Sequence, residues 1–198
     1  MTRIRNLASD EEAFTCNAYL VEAEQPDGTH VVVDPGDAFD IVAKLEGVGV
    51  SPERVVLTHT HPDHVGNVDA VRDRYGCEVW GFDATHAAVD RALADRETVA
   101  LGDAEFRVLH TPGHKDDHVI LYSAGLGTLF AGDLVFADGA FGRTDLAEGD
   151  RPALIESIDR LRELVGPEFT AMHTGHGPSV TESPADHLAL SARAARTH

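Results

Sequence analysis

Arg54–Thr58 (RVVLT) reads as a buried strand, and it runs without a spacer into His59–Asn67 (HTHPDHVGN). That loop sets three histidines and an aspartate within His59–His64, with Pro62 between them and Gly66 just after. In extended backbone, side chains two apart project to the same side, so His59 and His61 share a face. Pro62 then interrupts the chain, and Asp63 and His64 aim back from the other side of the turn. Imidazole and carboxylate are good zinc ligands, and imidazole also suits iron. At this composition H-x-H-x-D-H should arise by chance in roughly one of a few hundred such sequences. The loop constrains the fold because it cannot close a site alone. An ion wants about four ligands, and a catalytic site keeps one position for water. Other segments must end at the same place, and converging strand ends of a layered fold do this.

Three further strand ends carry ligand-type residues. Thr111–His114 (TPGH) puts His114 on a Pro-Gly turn. LFAGDLVF puts Asp133 after an apolar strand, where an acid is costly to bury unless paired or bound to metal. Gly175–Gly177 (GHG) frames His176 with glycines, which allow close backbone approach. The patterning around these motifs predicts a hairpin of Phe14–Ala23 and Thr29–Asp34 about the QPDG turn. Helices are predicted over Asp37–Glu46, Asn67–Tyr75, Ala84–Ala94, Asp150–Val165 and Pro184–Arg196. Strands are predicted over Arg54–Thr58, Glu78–Phe82, Glu105–His110, His118–Tyr122, Thr128–Ala131 and Phe169–Thr174. Strands and helices interspersed in one domain, 1–198, point to layers of helices over sheets.

Charge narrows the partners. The chain carries 34 acids against 16 bases, a net charge of −18, which repels a phosphate backbone and argues against nucleic acid. Two of those bases are lysines, Lys44 and Lys115, a balance resembling proteins of salt-filled cytoplasms. No apolar run reaches membrane-spanning length, and the start MTRIRNLASDEEAF has no apolar signal core, so the cytoplasm is the expected compartment. Cys16 and Cys77 form no C-x-x-C and are expected to be reduced core residues.

HTHPDH, TPGH, AGD and the late GHG, in this order and spacing, resemble the metallo-β-lactamase superfamily, as do NAYLVE and VVVDPGD near the start. The resemblance implies an α+β fold, a four-layer αββα sandwich, with a binuclear centre at one edge. It implies His59, His61 and His114 on one metal, Asp63, His64 and His176 on the second, and Asp133 bridging both. Asp34 would orient a ligand histidine. The cofactors would be two divalent ions, zinc first, with iron and manganese as alternatives. Hydrolysis would use a metal-bridging hydroxide, with Asp63 orienting it or moving its proton.

Ala140–Asp145 (AFGRTD) and the following GDRPALIESI look like the glyoxalase II-like branch, which hydrolyses hydroxyacyl thioesters. Arg143 falls where that branch holds the thiol cofactor's carboxylate. Pairing with Asp145 or Glu148 is its alternative role. Glyoxalase II proper has a C-terminal helical domain and a tyrosine soon after its last ligand. These 198 residues show neither, so a shorter glyoxalase II-like enzyme, or one acting on an acyl-thiol other than a glutathione ester, is expected. A mononuclear iron persulfide dioxygenase, using His59, His114 and Asp133, is the second reading. A metal-dependent RNA endonuclease, suggested by HKDDH (His114–His118), is the third, and the acidic surface counts against it.

Overall fold

The computed structural model describes residues 2–11 and 15–197. The chain divides into two compact units, one of Met1–Leu93 with Val99–Glu105, the other of Ala94–Thr98 with Phe106–His198.

The first unit is built on a six-stranded sheet. Strand β1 (Arg3–Asn6) pairs antiparallel with β2 (Tyr19–Glu22), which pairs antiparallel with β3 (Val31–Val33). The sheet continues in parallel through β4 (Arg54–Val56), β5 (Glu78–Gly81) and β6 (Arg91–Ala92). The predicted hairpin is therefore present as β2–β3. The stretch before it includes Phe14, which lies outside the described residues. Helices α1 (Ile41–Val48) and α3 (Val68–Tyr75) lay Ile41, Leu45, Val68 and Val71 onto one cluster with Leu20, Val32, Val55 and Val79. Alternate strand residues reach that cluster, as a period of two requires. Helix α1 starts later than predicted because the Asp40 carboxylate accepts from the Ala43 N–H and caps it there.

The predicted helix Ala84–Ala94 does not form. The Asp83 carboxylate accepts from both the backbone N–H and the hydroxyl of Thr85, a local turn that competes with helix. Asp90 accepts from the Val79 N–H, and Arg91 stacks on the Trp80 ring, 3.9 Å from its centroid. The segment is thereby drawn out as edge strand β6. Strand β1 is four residues with two arginines, too short and polar to be predicted from patterning.

The second sheet runs β11-β10-β9-β8-β7, with β7 (Thr98–Leu101) and β8 (Ala104–His110) joined by a tight turn at the unit boundary. Strands β9 (Val119–Ser123) and β10 (Thr128–Gly132) are antiparallel, and β10 pairs in parallel with β11 (Ala171–Thr174). The β10–β11 register shifts between Phe130 and Gly132, and Gly132 has φ 48°. That irregularity turns the chain out of the sheet one residue before Asp133.

Helix α4 (Arg151–Leu164) is capped by Asp150, with Pro152 in its first turn, as predicted. Its Leu154, Ile158 and Leu161 share a core with Leu129, Met172, and Leu188 and Ala192 of α5 (Pro184–Thr197). A Cβ at Gly113 would lie 2.2 Å from the Leu154 nitrogen, so glycine lets the TPGH turn seat on α4. Each unit thus pairs a helical layer with a sheet, the α+β composition predicted. No helix among the described residues is long and apolar enough to cross a membrane.

His173 of β11 stacks on Phe130 with ring centroids 5.3 Å apart, and burial pushes its pKa down to about 4. Below the ordinary imidazole value near 6.5 the unfolded chain gains a proton that the folded chain refuses. Stability from this residue is therefore lost as pH falls from about 6.5 towards 4. Chemical denaturation across that window should show His173→Phe losing less stability than the parent. Parallel loss in both would mean that His173 does not titrate this way.

Candidate metal centre

In the first unit β4 delivers the chain to the histidine-rich loop. Pro62 occupies the first position of a one-turn helix, α2 (Pro62–Val65), whose N-cap His61 is extended. His61 is thereby left on the approaching strand side, while Asp63 and His64 rise from the turn. Ligand atoms of Asp63 and His64 lie within 4.8 Å of one another. His59 Nε2 and His61 Nδ1 are 3.1 Å apart. A Cβ at Gly66 would meet the Asp37 side chain at 2.5 Å, so glycine lets the two segments pack closely.

Asp34 organises this half. It is 2% exposed and has φ 50°, an uncommon backbone region for a residue other than glycine. Its Oδ1 accepts from the Thr58 N–H at 2.8 Å, and its Oδ2 accepts from the Thr58 hydroxyl at 2.7 Å. Oδ2 also lies 3.0 Å from His64 Nδ1, so that nitrogen carries the proton and Nε2 carries the lone pair. The Thr58 hydroxyl, having given its hydrogen to Asp34, accepts from His59 Nδ1 at 3.1 Å. His59 therefore also directs its lone pair through Nε2. One carboxylate sets the tautomer of two histidines, the second through a threonine that sequence patterning places in the strand. Burial pushes the Cys16 thiol up to about 11, so it stands near His64 as a neutral S–H.

In the second unit Asp133 Oδ2 lies 3.5 Å from His114 Nε2 and 3.5 Å from His176 Nε2. Asp133 is 7% exposed. His114 Nδ1 donates to the Arg143 carbonyl at 2.9 Å, which leaves the Nε2 lone pair directed at Asp133. Two glycines make room. A Cβ at Gly175 would fall 2.0 Å from Asp133 Oδ1, and one at Gly142 would fall 1.9 Å from the Asp133 carbonyl oxygen. The glycine of AFGRTD is thus a packing requirement of Asp133 and His114.

The Arg143 side chain forms a two-pronged pair with Asp145, Nε–Oδ1 and Nη2–Oδ2 both at 2.8 Å. This hydrogen-bonded guanidinium holds the Asp145 carboxyl down at about 2. Both side chains are exposed. The expected pairing of Arg143 with Asp145 is present, and its carbonyl contact with His114 carries no signal in the sequence. Four further histidines make backbone hydrogen bonds. His30, His86 and His187 accept backbone N–H groups through Nδ1, and His110 donates to the Asp116 carbonyl. His198 lies outside the described residues.

These donors fit a first-row divalent ion. With metal–nitrogen distances of about 2.0–2.1 Å, two ligands on a tetrahedral ion stand roughly 3.3 Å apart. The His59–His61 separation of 3.1 Å and the 3.5 Å flanks of Asp133 have that scale. The donor set of imidazole and carboxylate suits zinc, iron and manganese.

A family model described as the metallo-beta-lactamase superfamily matches residues 12–176. A hydroxyacylglutathione hydrolase from Chromohalobacter salexigens is 38% identical over 166 residues, 83% of this chain and 63% of that protein. The chain thus spans less than two thirds of that relative's length. Among solved structures, TTHA1623 in a di-iron-bound form matches with a TM-score of 0.73 and 34% identity, covering 90% of this chain and 92% of that one. BLEG-1 B3 metallo-beta-lactamase matches with a TM-score of 0.73 and 32% identity, covering 91% and 94%.

Proposed function

This chain belongs to the metallo-beta-lactamase superfamily, and we propose that it is a two-metal hydrolase of a small hydroxyacyl thioester. The observation that carries the reading is a single carboxylate oxygen, Asp133 Oδ2, set 3.5 Å from two ligand-type imidazole nitrogens. A bridging ligand needs that placement. The hydroxyacylglutathione hydrolase relatives support the thioester class, and the di-iron structure supports a two-ion centre.

In this reading His59, His61 and His114 would hold one ion, Asp63, His64 and His176 would hold the other, and Asp133 would serve both. Bound ions would supply Lewis acidity at the thioester carbonyl and lower the pKa of a water. The residues do the rest. The Asp34–Thr58 hydrogen bonds hold His59 and His64 in ligand tautomers. The Asp63 carboxylate, half-buried in the first turn of α2, takes up and passes on the proton that water loses. Hydrolysis then adds water across the acyl–sulfur bond, giving a carboxylic acid and a thiol.

Arg143 anchors the carrier's carboxylate. Asp145 engages its Nε and Nη2, which leaves Nη1 to meet an anionic ligand. The substrate is an acyl-thiol with such a carboxylate. The compartment is the reducing cytoplasm, in keeping with the free, buried Cys16 and Cys77. The acidic surface is an adaptation to high salt, where screening relieves its self-repulsion.

Three measurements test this. Elemental analysis should find two ions per chain in the parent protein, and Asp133→Ala should lose both along with most thioesterase activity. Full occupancy in that variant would overturn the bridging role, and one iron per chain in the parent would favour the dioxygenase. Arg143→Ala should raise KM about tenfold or more for anionic thioesters and much less for neutral ones. Equal effects would confine Arg143 to the scaffold. Raising KCl from about 0.1 M to about 2 M should raise Tm by several degrees; a flat or falling Tm would remove the high-salt reading.

A further inference from the structure

We infer that His118 is a positioning residue that holds the Asp133 backbone in place for metal binding; this rests on the two-metal reading above. His118 is fully buried, with 0% exposure, between the TPGH turn and the end of β10. Its Nε2 accepts the backbone N–H of Asp133 at 3.0 Å. A backbone N–H can only donate, so Nε2 carries the lone pair and Nδ1 carries the proton. Nδ1 lies 2.8 Å from the Thr111 hydroxyl oxygen, which takes that proton's hydrogen bond. The Thr111 N–H donates in turn to the His118 carbonyl at 2.8 Å, and the His118 N–H donates to the Lys115 carbonyl at 3.3 Å.

His118 is therefore tied at its backbone to the turn that carries His114, and its ring reaches across to the residue that carries the shared carboxylate. Each ring nitrogen already has a partner, so the ring acts as a strut and not as a ligand. The strut matters because Asp133 leaves the sheet at an irregular step. The β10–β11 register breaks beside it, so its N–H donates to an imidazole. Gly142 and Gly175 limit Asp133 from its carbonyl and carboxylate sides. His118 fixes the third direction. Removing the acceptor would strand a buried N–H and let the carboxylate drift from the midpoint between His114 and His176.

The test is zinc binding by competition with a chelator, on the full chain. His118→Phe keeps the ring shape and removes the acceptor, and His118→Gln restores an acceptor oxygen. Zinc affinity should fall about 10- to 100-fold in His118→Phe and return to within a few-fold of the parent in His118→Gln. Parent-like affinity in His118→Phe, or no recovery in His118→Gln, would overturn the inference. If His118→Phe does not fold, the His118→Gln result and the parent's imidazole nitrogen shifts decide. A proton on Nδ1 is expected, and a proton on Nε2 would overturn the inference. Asp133→Ala separates the two levels. Weak zinc binding there with normal binding in His118→Phe defeats only the strut. Normal binding in Asp133→Ala defeats the metal-centre reading itself.

Discussion

A carboxylate sealed from water at Asp34 is expensive unless both its oxygens are hydrogen-bonded. Asp34 meets this with the backbone N–H and hydroxyl of Thr58 and with His64 Nδ1. The arrangement has a chemical consequence beyond stability. Imidazole has two nitrogens, and a ligand must present the unprotonated one. By taking hydrogens from His64 directly and from His59 through Thr58, Asp34 decides which nitrogen each presents. The left-handed backbone at Asp34 fits this role, since strained conformations persist where the surroundings over-determine them.

The second unit solves the same problem with different parts. There the backbone supplies the orientation. The Arg143 carbonyl fixes His114, His118 takes the Asp133 N–H, and glycines at 142 and 175 allow close packing on Asp133. Substituting a larger residue at either glycine would push against backbone or carboxylate atoms, so the cost would fall on ligand geometry before it fell on the core. The motifs AFGRTD and TGHG thus carry information about Asp133 as much as about substrate.

The residues proposed as ligands stand out in the sequence because they sit at strand ends and beside Pro or Gly, where local chemistry dictates backbone shape. His59, His61, Asp63 and His64 cluster within one loop, and His114, Asp133 and His176 each follow an apolar strand. The supports were less legible. Thr58 looks like the last residue of a strand, and only the fold brings it to Asp34. Asp145 follows Arg143 by two residues and was foreseen as a partner, whereas the Arg143 carbonyl on His114 spans 29 residues. The error at Ala84–Ala94 has a similar cause. Alanine-rich sequence favours helix, but Asp83, Asp90 and the Trp80–Arg91 stack spend their interactions outside any helix.

The charge pattern and the site bear on one another. A chain of net charge −18 should repel an anionic substrate, yet the function proposed needs one to bind. Two divalent ions would reverse the field locally, and Arg143 is a cation placed just beyond a residue that touches His114. Its pairing with Asp145 lowers its net attraction at long range but fixes its orientation at short range. Binding would then depend on short-range contact at Nη1 more than on steering from a distance. A surface of that kind loses little when salt screens it, because the interactions it relies on are the close ones.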